Sequence, residues 1–178
     1  MKKLTAMVCI LFCIQTASSQ KISTYKFSKI NSEDLKIKVY DIDSNANAII
    51  IADVGESSFV GNVKGWFSIS FKRKVRIHIL NKNGYNQADF EIPLWVNGSA
   101  TEKLEELKAV TYNLENGSVT ETKLEKNNVF TEKKSKNLSL RKFTLPNVKE
   151  GSIIEVEYRI NSDFLQNLQP WSYQGSIP

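Results

Sequence analysis

Leu145-Pro-Asn-Val-Lys-Glu-Gly-Ser-Ile-Ile-Glu-Val-Glu-Tyr-Arg-Ile-Asn-Ser-Asp163 is the stretch whose reading decides the fold. From Ile154 the apolar residues Ile154, Val156, Tyr158 and Ile160 take every second position, and Glu155, Glu157, Arg159 and Asn161 fill the alternate ones. A period of two belongs to a strand with one packed and one solvated face. Pro146 cannot donate to a strand ladder and Gly151 tolerates positive φ, so residues 146–151 read as a tight turn. Residues 138–145 before it and the strand after it then read as the two arms of a hairpin.

Working outward, the same pattern recurs. Residues 66–80 form the longest such run: Phe67, Ile69, Phe71, Val75, Ile77 and Ile79 share one parity, Ser68, Ser70, Lys72, Lys74, Arg76 and His78 the other, and Arg73 alone breaks it. Leu35, Ile37 and Val39 alternate over residues 35–40, although Ser32, Glu33 and Asp34 before them equally suit a short helical turn. Ala48-Ile-Ile-Ile-Ala52 reads as a strand buried on both faces, followed by a glycine loop over residues 54–65. That loop lacks the spacing and the following Lys and Ser or Thr of a phosphate-binding turn. Residues 81–84 suit a hairpin turn, and residues 88–94 an edge segment broken by Pro93. Ser99 and Glu102 have capping-box spacing for a short helix over residues 103–108, against which Leu107, Ala109 and Thr111 alternate as a strand. Asn116-Gly117 between alternating residues is a strong hairpin signal, with residues 120–124 pairing back. Residues 129–132 and 138–145 follow as strands around a basic loop, 133–137. The total is eight to ten short strands with little helix, an all-β antiparallel β-sandwich. The Asn-x-Ser sequons at Asn97, Asn116 and Asn137 fall where turns are expected and read as turn residues.

Residues 1–19 have the layout of a signal peptide: Lys2 and Lys3, an apolar run over residues 4–14, then small residues before a cut between Ser19 and Gln20. The apolar run is shorter than the roughly 20 residues a membrane-spanning helix needs, and Phe12 before Cys13 is too bulky for a lipoprotein cleavage site. The expectation is export to the periplasm or cell envelope, or secretion, of one domain over residues 20–178, with no membrane span after cleavage. Both cysteines, Cys9 and Cys13, lie in the removed segment, so the mature domain relies on packing and not on disulfides. Without Lys2 and Lys3, 22 basic residues face 19 acids, about +3 against +5 for the whole chain. Such a mild, interspersed balance implies no nucleic-acid partner.

Candidate sites are few. Lys72, Lys74, Arg76 and His78 line one strand face and form a possible binding face for an anionic glycan or peptide; the plainer reading is a solvated sheet face. His78 is the only histidine, and one ligand makes no metal site, so no metal, cofactor or catalytic residue is assigned. Glu155 and Glu157, two apart on one strand face, are the remaining candidates for carboxylate chemistry, but Arg159 and Asn161 beside them look like ordinary solvated partners. Trp171 and Tyr173 suit either a stacking platform or a contact with a neighbouring domain.

Four stretches carry a family likeness: Ala109-Val-Thr-Tyr-Asn-Leu-Glu-Asn-Gly117, the run from Leu145 to Tyr158, Ser162-Asp-Phe164 and Pro170-Trp-Ser-Tyr-Gln174. In that order they resemble the DUF3857 family of exported bacterial proteins, and residues 1–19 and 36–53 fit it too. The resemblance implies an N-terminal β-rich module commonly followed by a transglutaminase-like domain, the expected partner. The chain stops at Ile177-Pro178, within the segment that would lead onward, so a fragment or truncated frame is expected. A transglutaminase-like core works through a cysteine activated by histidine. With no mature cysteine, no such residue carries over and the module is expected to be non-catalytic.

Overall fold

The computed structural model describes residues 27–171, 175, 177 and 178. The signal-peptide reading of residues 1–19, and Tyr173, lie outside the described residues. Among these residues there are nine strands: β1 (Ala48–Gly61), β2 (Phe67–Ile79), β3 (Asp89–Asn97), β4 (Ala100–Thr101), β5 (Lys103–Glu115), β6 (Ser118–Lys123), β7 (Phe130–Ser135), β8 (Leu138–Thr144) and β9 (Ile153–Ser162). They form two antiparallel sheets, one of five strands in the order β1-β2-β9-β5-β6 and one of four in the order β4-β3-β8-β7. One of the two is curled into a half-barrel. The all-β expectation therefore holds, although three strands are long: β1, β2 and β5 run 14, 13 and 13 residues.

β9 is the central strand, paired with β2 from Ile69↔Ser162 to His78↔Ile153 and with β5 on its other side. Its inner face, Ile154, Val156, Tyr158 and Ile160, joins Phe71, Val75, Ile77, Ile92, Leu94 and Phe143 in one cluster between the sheets. Burying one such side chain is worth roughly 1.5–3 kcal/mol. The alternation read from the sequence thus names the core correctly.

The expected hairpin between residues 138–145 and β9 does not form. β8 pairs with β3 and β7 in the small sheet, while β9 sits in the large one, so residues 145–152 are a crossover. The crossover is moored to β5, since Asn113 Nδ2 donates to the Asn147 carbonyl at 2.9 Å and Ser152 Oγ donates to Asn113 Oδ1 at 2.5 Å. Asn147 and Gly151 take positive φ, +57° and +82°. In the large sheet β9 places Glu155 and Glu157 opposite Arg76 and Lys74 of β2, a cross-strand attraction that supports this pairing.

Several other boundaries differ. β1 continues through the glycine stretch to Gly61, paired all the way to β2, because a long hairpin partner holds residues that look like loop in isolation. It is an edge strand, and Ile51 is exposed, so residues 48–52 are not buried on both faces. Residues 35–40 form no strand: Asn31 Oδ1 accepts from the Glu33 and Asp34 amides, and a 3-10 turn follows at Asp34–Lys36. Lys82–Ala88 is a 3-10 helix capped by Asn81 and not a hairpin turn; it carries the chain to the other sheet. β3 runs through Pro93, whose missing N–H costs nothing where β4 is too short to pair with it. The short helix over 103–108 is absent, β5 absorbing the irregularity as a bulge between Leu104 and Leu107. The basic loop at 133–137 is mostly β7, which ends at Ser135. The Asn116-Gly117 turn forms as expected, with φ of +51° and +78°.

Candidate functional site

The even-numbered side chains of β2 all point away from the sandwich core, but they do not form an open basic strip. Lys72 Nζ lies 2.9 Å from Glu157, Lys74 lies 3.8 Å from both Glu155 and Glu157, and Arg76 Nε donates to Glu155 Oε1 at 2.6 Å. Arg76 Nη2 also bonds the Glu155 carboxylate and donates to the Ser28 carbonyl at 2.7 Å. The two glutamates considered as catalytic carboxylates are thus the counter-ions of the candidate binding face. Burial pushes the Glu157 carboxyl up, but the Lys72 hydrogen bond and the Lys72, Lys74 and Lys108 charges outweigh it and hold the group below its ordinary value. A carboxyl held ionised is a poor proton donor, the opposite of what a glycosidase acid needs.

Half of this face is also covered. Residues 27–36 cross it, seating Ile30 and Leu35 on Ile153 with Tyr112, Leu114 and Val119 around them. Phe27 lies under both cations, its ring 4.4 Å from Lys74 Nζ and 4.9 Å from Arg76 Cζ. His78 is 1% exposed, and its Nε2 has no hydrogen-bond partner among the described residues. Burial lowers the His78 pKa, with the Gly151 backbone and the Asp34 charge pulling partly the other way, which favours the neutral imidazole. What remains open is a groove of about 750 Å³ bordered by Phe27, Lys74, Arg76, Tyr112, Glu121 and Glu155. Burial and the Glu155 charge raise the Tyr112 pKa, so its hydroxyl is a hydrogen-bond group there and not a base.

No protein-family model matches the chain, and no curated protein matches it. Among solved structures it is similar to a crystal structure of a "putative protease" from Parabacteroides distasonis ATCC 8503, at 11% identity and a TM-score of 0.47. That similarity covers 66% of this chain but 23% of the other, so the chain spans about a quarter of that protein's length.

Two ionic positions escaped the sequence reading. Arg73, the residue that broke the alternation, points inward and makes a two-pronged pair with Asp53, at 2.9 and 2.6 Å. Burial alone would lower the Arg73 pKa, but hydrogen bonds to Asp53 and Tyr158 leave it raised. An arginine at an apolar parity calls for an acid at the same parity on the next strand; ending β1 at Ala52 hid Asp53. The second is Glu102, the residue at which the chain passes from β4 in one sheet to β5 in the other. It is 2% exposed, and its Oε2 accepts from the Trp95 amide at 2.9 Å and Gln169 Nε2 at 2.6 Å, leaving Oε1 buried and without a partner among the described residues. Trp171 lies over Gly55 of β1, where an added Cβ would stand 3.0–3.3 Å from the indole ring. Among the described residues, no group of three or more His, Cys, Asp or Glu is placed to hold a metal ion, and no helix is long and apolar enough to cross a membrane.

Proposed function

We propose that this chain is a non-catalytic β-sandwich module of an exported bacterial envelope protein of DUF3857 type, which docks or positions a transglutaminase-like domain. The observation that carries this reading is the anchoring of the segment after β9. Gln169 bonds Glu102, Trp171 rests on Gly55, Ile177 packs against the core cluster and the Pro178 carbonyl accepts from the Ile50 amide at 2.7 Å. A connection held to the sandwich at four points gives a following domain a defined position. The reading is supported further by the use of Lys72, Arg76, Glu155 and Glu157 in pairing with one another.

Its test is to produce the sandwich and a transglutaminase-like domain of the same gene, or of a neighbouring one, as separate chains and titrate one into the other. Saturable binding that weakens at least fivefold with Gly55→Leu, which displaces Trp171, is expected. Absence of binding, or hydrolytic turnover by the purified sandwich alone, would sink the proposal. The groove beside Lys74 and Tyr112 keeps a second reading in play, a glycan- or peptide-binding domain using the basic strand face. Titration with acidic oligosaccharides and peptides, with and without Lys74→Ala, decides it, and affinity unchanged by that substitution ends it.

A further inference from the structure

The β1–β2 hairpin extends beyond the rest of its sheet. β9 leaves β2 at Ile69, opposite Ser162, whereas β1 and β2 remain paired out to Gly61 and Phe67. From that point outward the apolar side chains stand in solvent: Phe59, opposite Ile69, is 69% exposed, Val63 fully, Trp66 64% and Phe67 53%. Register puts Phe59 and Phe67 on one face of the ribbon and Val60 on the other, with Val63 in the connecting turn. The tip is therefore apolar on both faces and at its end.

Its polar side chains are bonded to one another and to the turn's own backbone. Asn62 Oδ1 accepts from the Lys64 and Trp66 amides at 3.0 and 3.1 Å, the Asn62 amide donates to the Trp66 carbonyl at 2.8 Å, and the Gly65 amide donates to the Asn62 carbonyl at 3.1 Å. Asn62 Nδ2 donates to Ser68 Oγ, which in turn donates to Asp163 Oδ1. Lys64 Nζ, the one cation of the turn, is drawn back to Asp163 Oδ2 at 2.9 Å. A protein partner would ask for one complementary apolar face. An isotropic apolar medium asks for apolar side chains all round and for backbone groups already satisfied within the segment, because hydrocarbon offers them no partner. Trp and Phe at such a tip suit the boundary between headgroups and acyl chains.

We infer that this tip enters the boundary layer of a lipid bilayer, holding the sandwich on a membrane surface without spanning it. Because Asp163 neutralises Lys64, entry is driven by apolar area and not by anionic headgroups.

The test uses the whole chain with Trp95→Phe and Trp171→Phe, which leaves Trp66 as the only tryptophan of the three. Phosphatidylcholine vesicles brominated near the top of the acyl chains should shift its emission to the blue and quench it, equally in 0.1 and 1 M salt. In the unsubstituted chain, Val63→Ser with Phe67→Ser should lower vesicle co-sedimentation at least tenfold while leaving the thermal midpoint in place. Four results would overturn the inference: no quenching, quenching that needs anionic lipid and vanishes in salt, undiminished binding by the doubly substituted chain, or a lipid-free blue shift that grows with protein concentration or on adding a transglutaminase-like domain.

Discussion

The two ends of β2 carry the same alternating pattern and meet opposite fates. From Val75 to Ile79 every residue is buried, the odd ones against the small sheet and the even ones beneath residues 27–36. At Phe67 the strand stands in water beside Trp66, with neither covering element in reach. Alternation assigns a side chain to a face; it does not say what covers that face.

The largest effect should separate the two ends outright. Ile154→Ala, opposite Ile77 in the fully covered part, should cost about 3 kcal/mol in chemical denaturation, whereas Trp66→Ser should stay within about 0.5 kcal/mol. Comparable costs would mean that the hairpin tip is packed against something.

Next come the ion pairs along the same ladder. Arg76 and Glu155 have side chains 8% and 14% exposed, so Glu155→Ala, which strands a buried guanidinium, should cost on the order of 3 kcal/mol. Glu157→Ala, whose partner Lys72 is 42% exposed, should cost under about 1 kcal/mol and lose even that in salt. Equal penalties would show that residues 27–36 do not seal the face.

A smaller effect is a pH dependence confined to the sealed end. His78 has its folded pKa lowered by burial, so below the unfolded value of about 6.5 the unfolded chain takes a proton that the folded chain refuses. The unfolded state then binds more protons, and stability falls as pH drops from about 6.5 toward the folded pKa, with no His78 contribution above that window. His78→Gln should flatten the slope between pH 6.5 and 5 in urea titrations, while Lys72→Gln should leave it unchanged.

The smallest effect sharpens the comparison on the inner face. Gly55→Ala brings a Cβ against Trp171 and should cost about 1 kcal/mol or less, read best as faster proteolysis after residue 162 and not as a shifted midpoint. Unchanged cleavage would mean that the ring does not hold the segment there.

Much of the fold was readable because strand alternation is a local property. The core parity of β9 and β2, the turn at Asn116-Gly117 and the all-β class follow from residues two or four apart. Partner choice was not readable in the same way. The turn before β9 has hairpin chemistry, Pro146 at one end and Gly151 at the other, yet Asn113 on a strand over thirty residues away captures it and directs the chain across the sheets. The candidate face shows the same division. Lys72, Lys74, Arg76 and His78 do share one side, but their counter-ions come from β9, 79 positions along the chain in the case of Arg76 and Glu155.

By its sequence alone this protein is committed to strands, to a particular parity for each and to a domain without cysteine after residue 13, since period, turn residues and composition act over short stretches. Which strands pair, which half of the charged face is sealed and which hairpin is left bare were decided only by the tertiary structure. Those outcomes depend on long-range burial and charge pairing, where each segment's best partner is set by all the others competing for it.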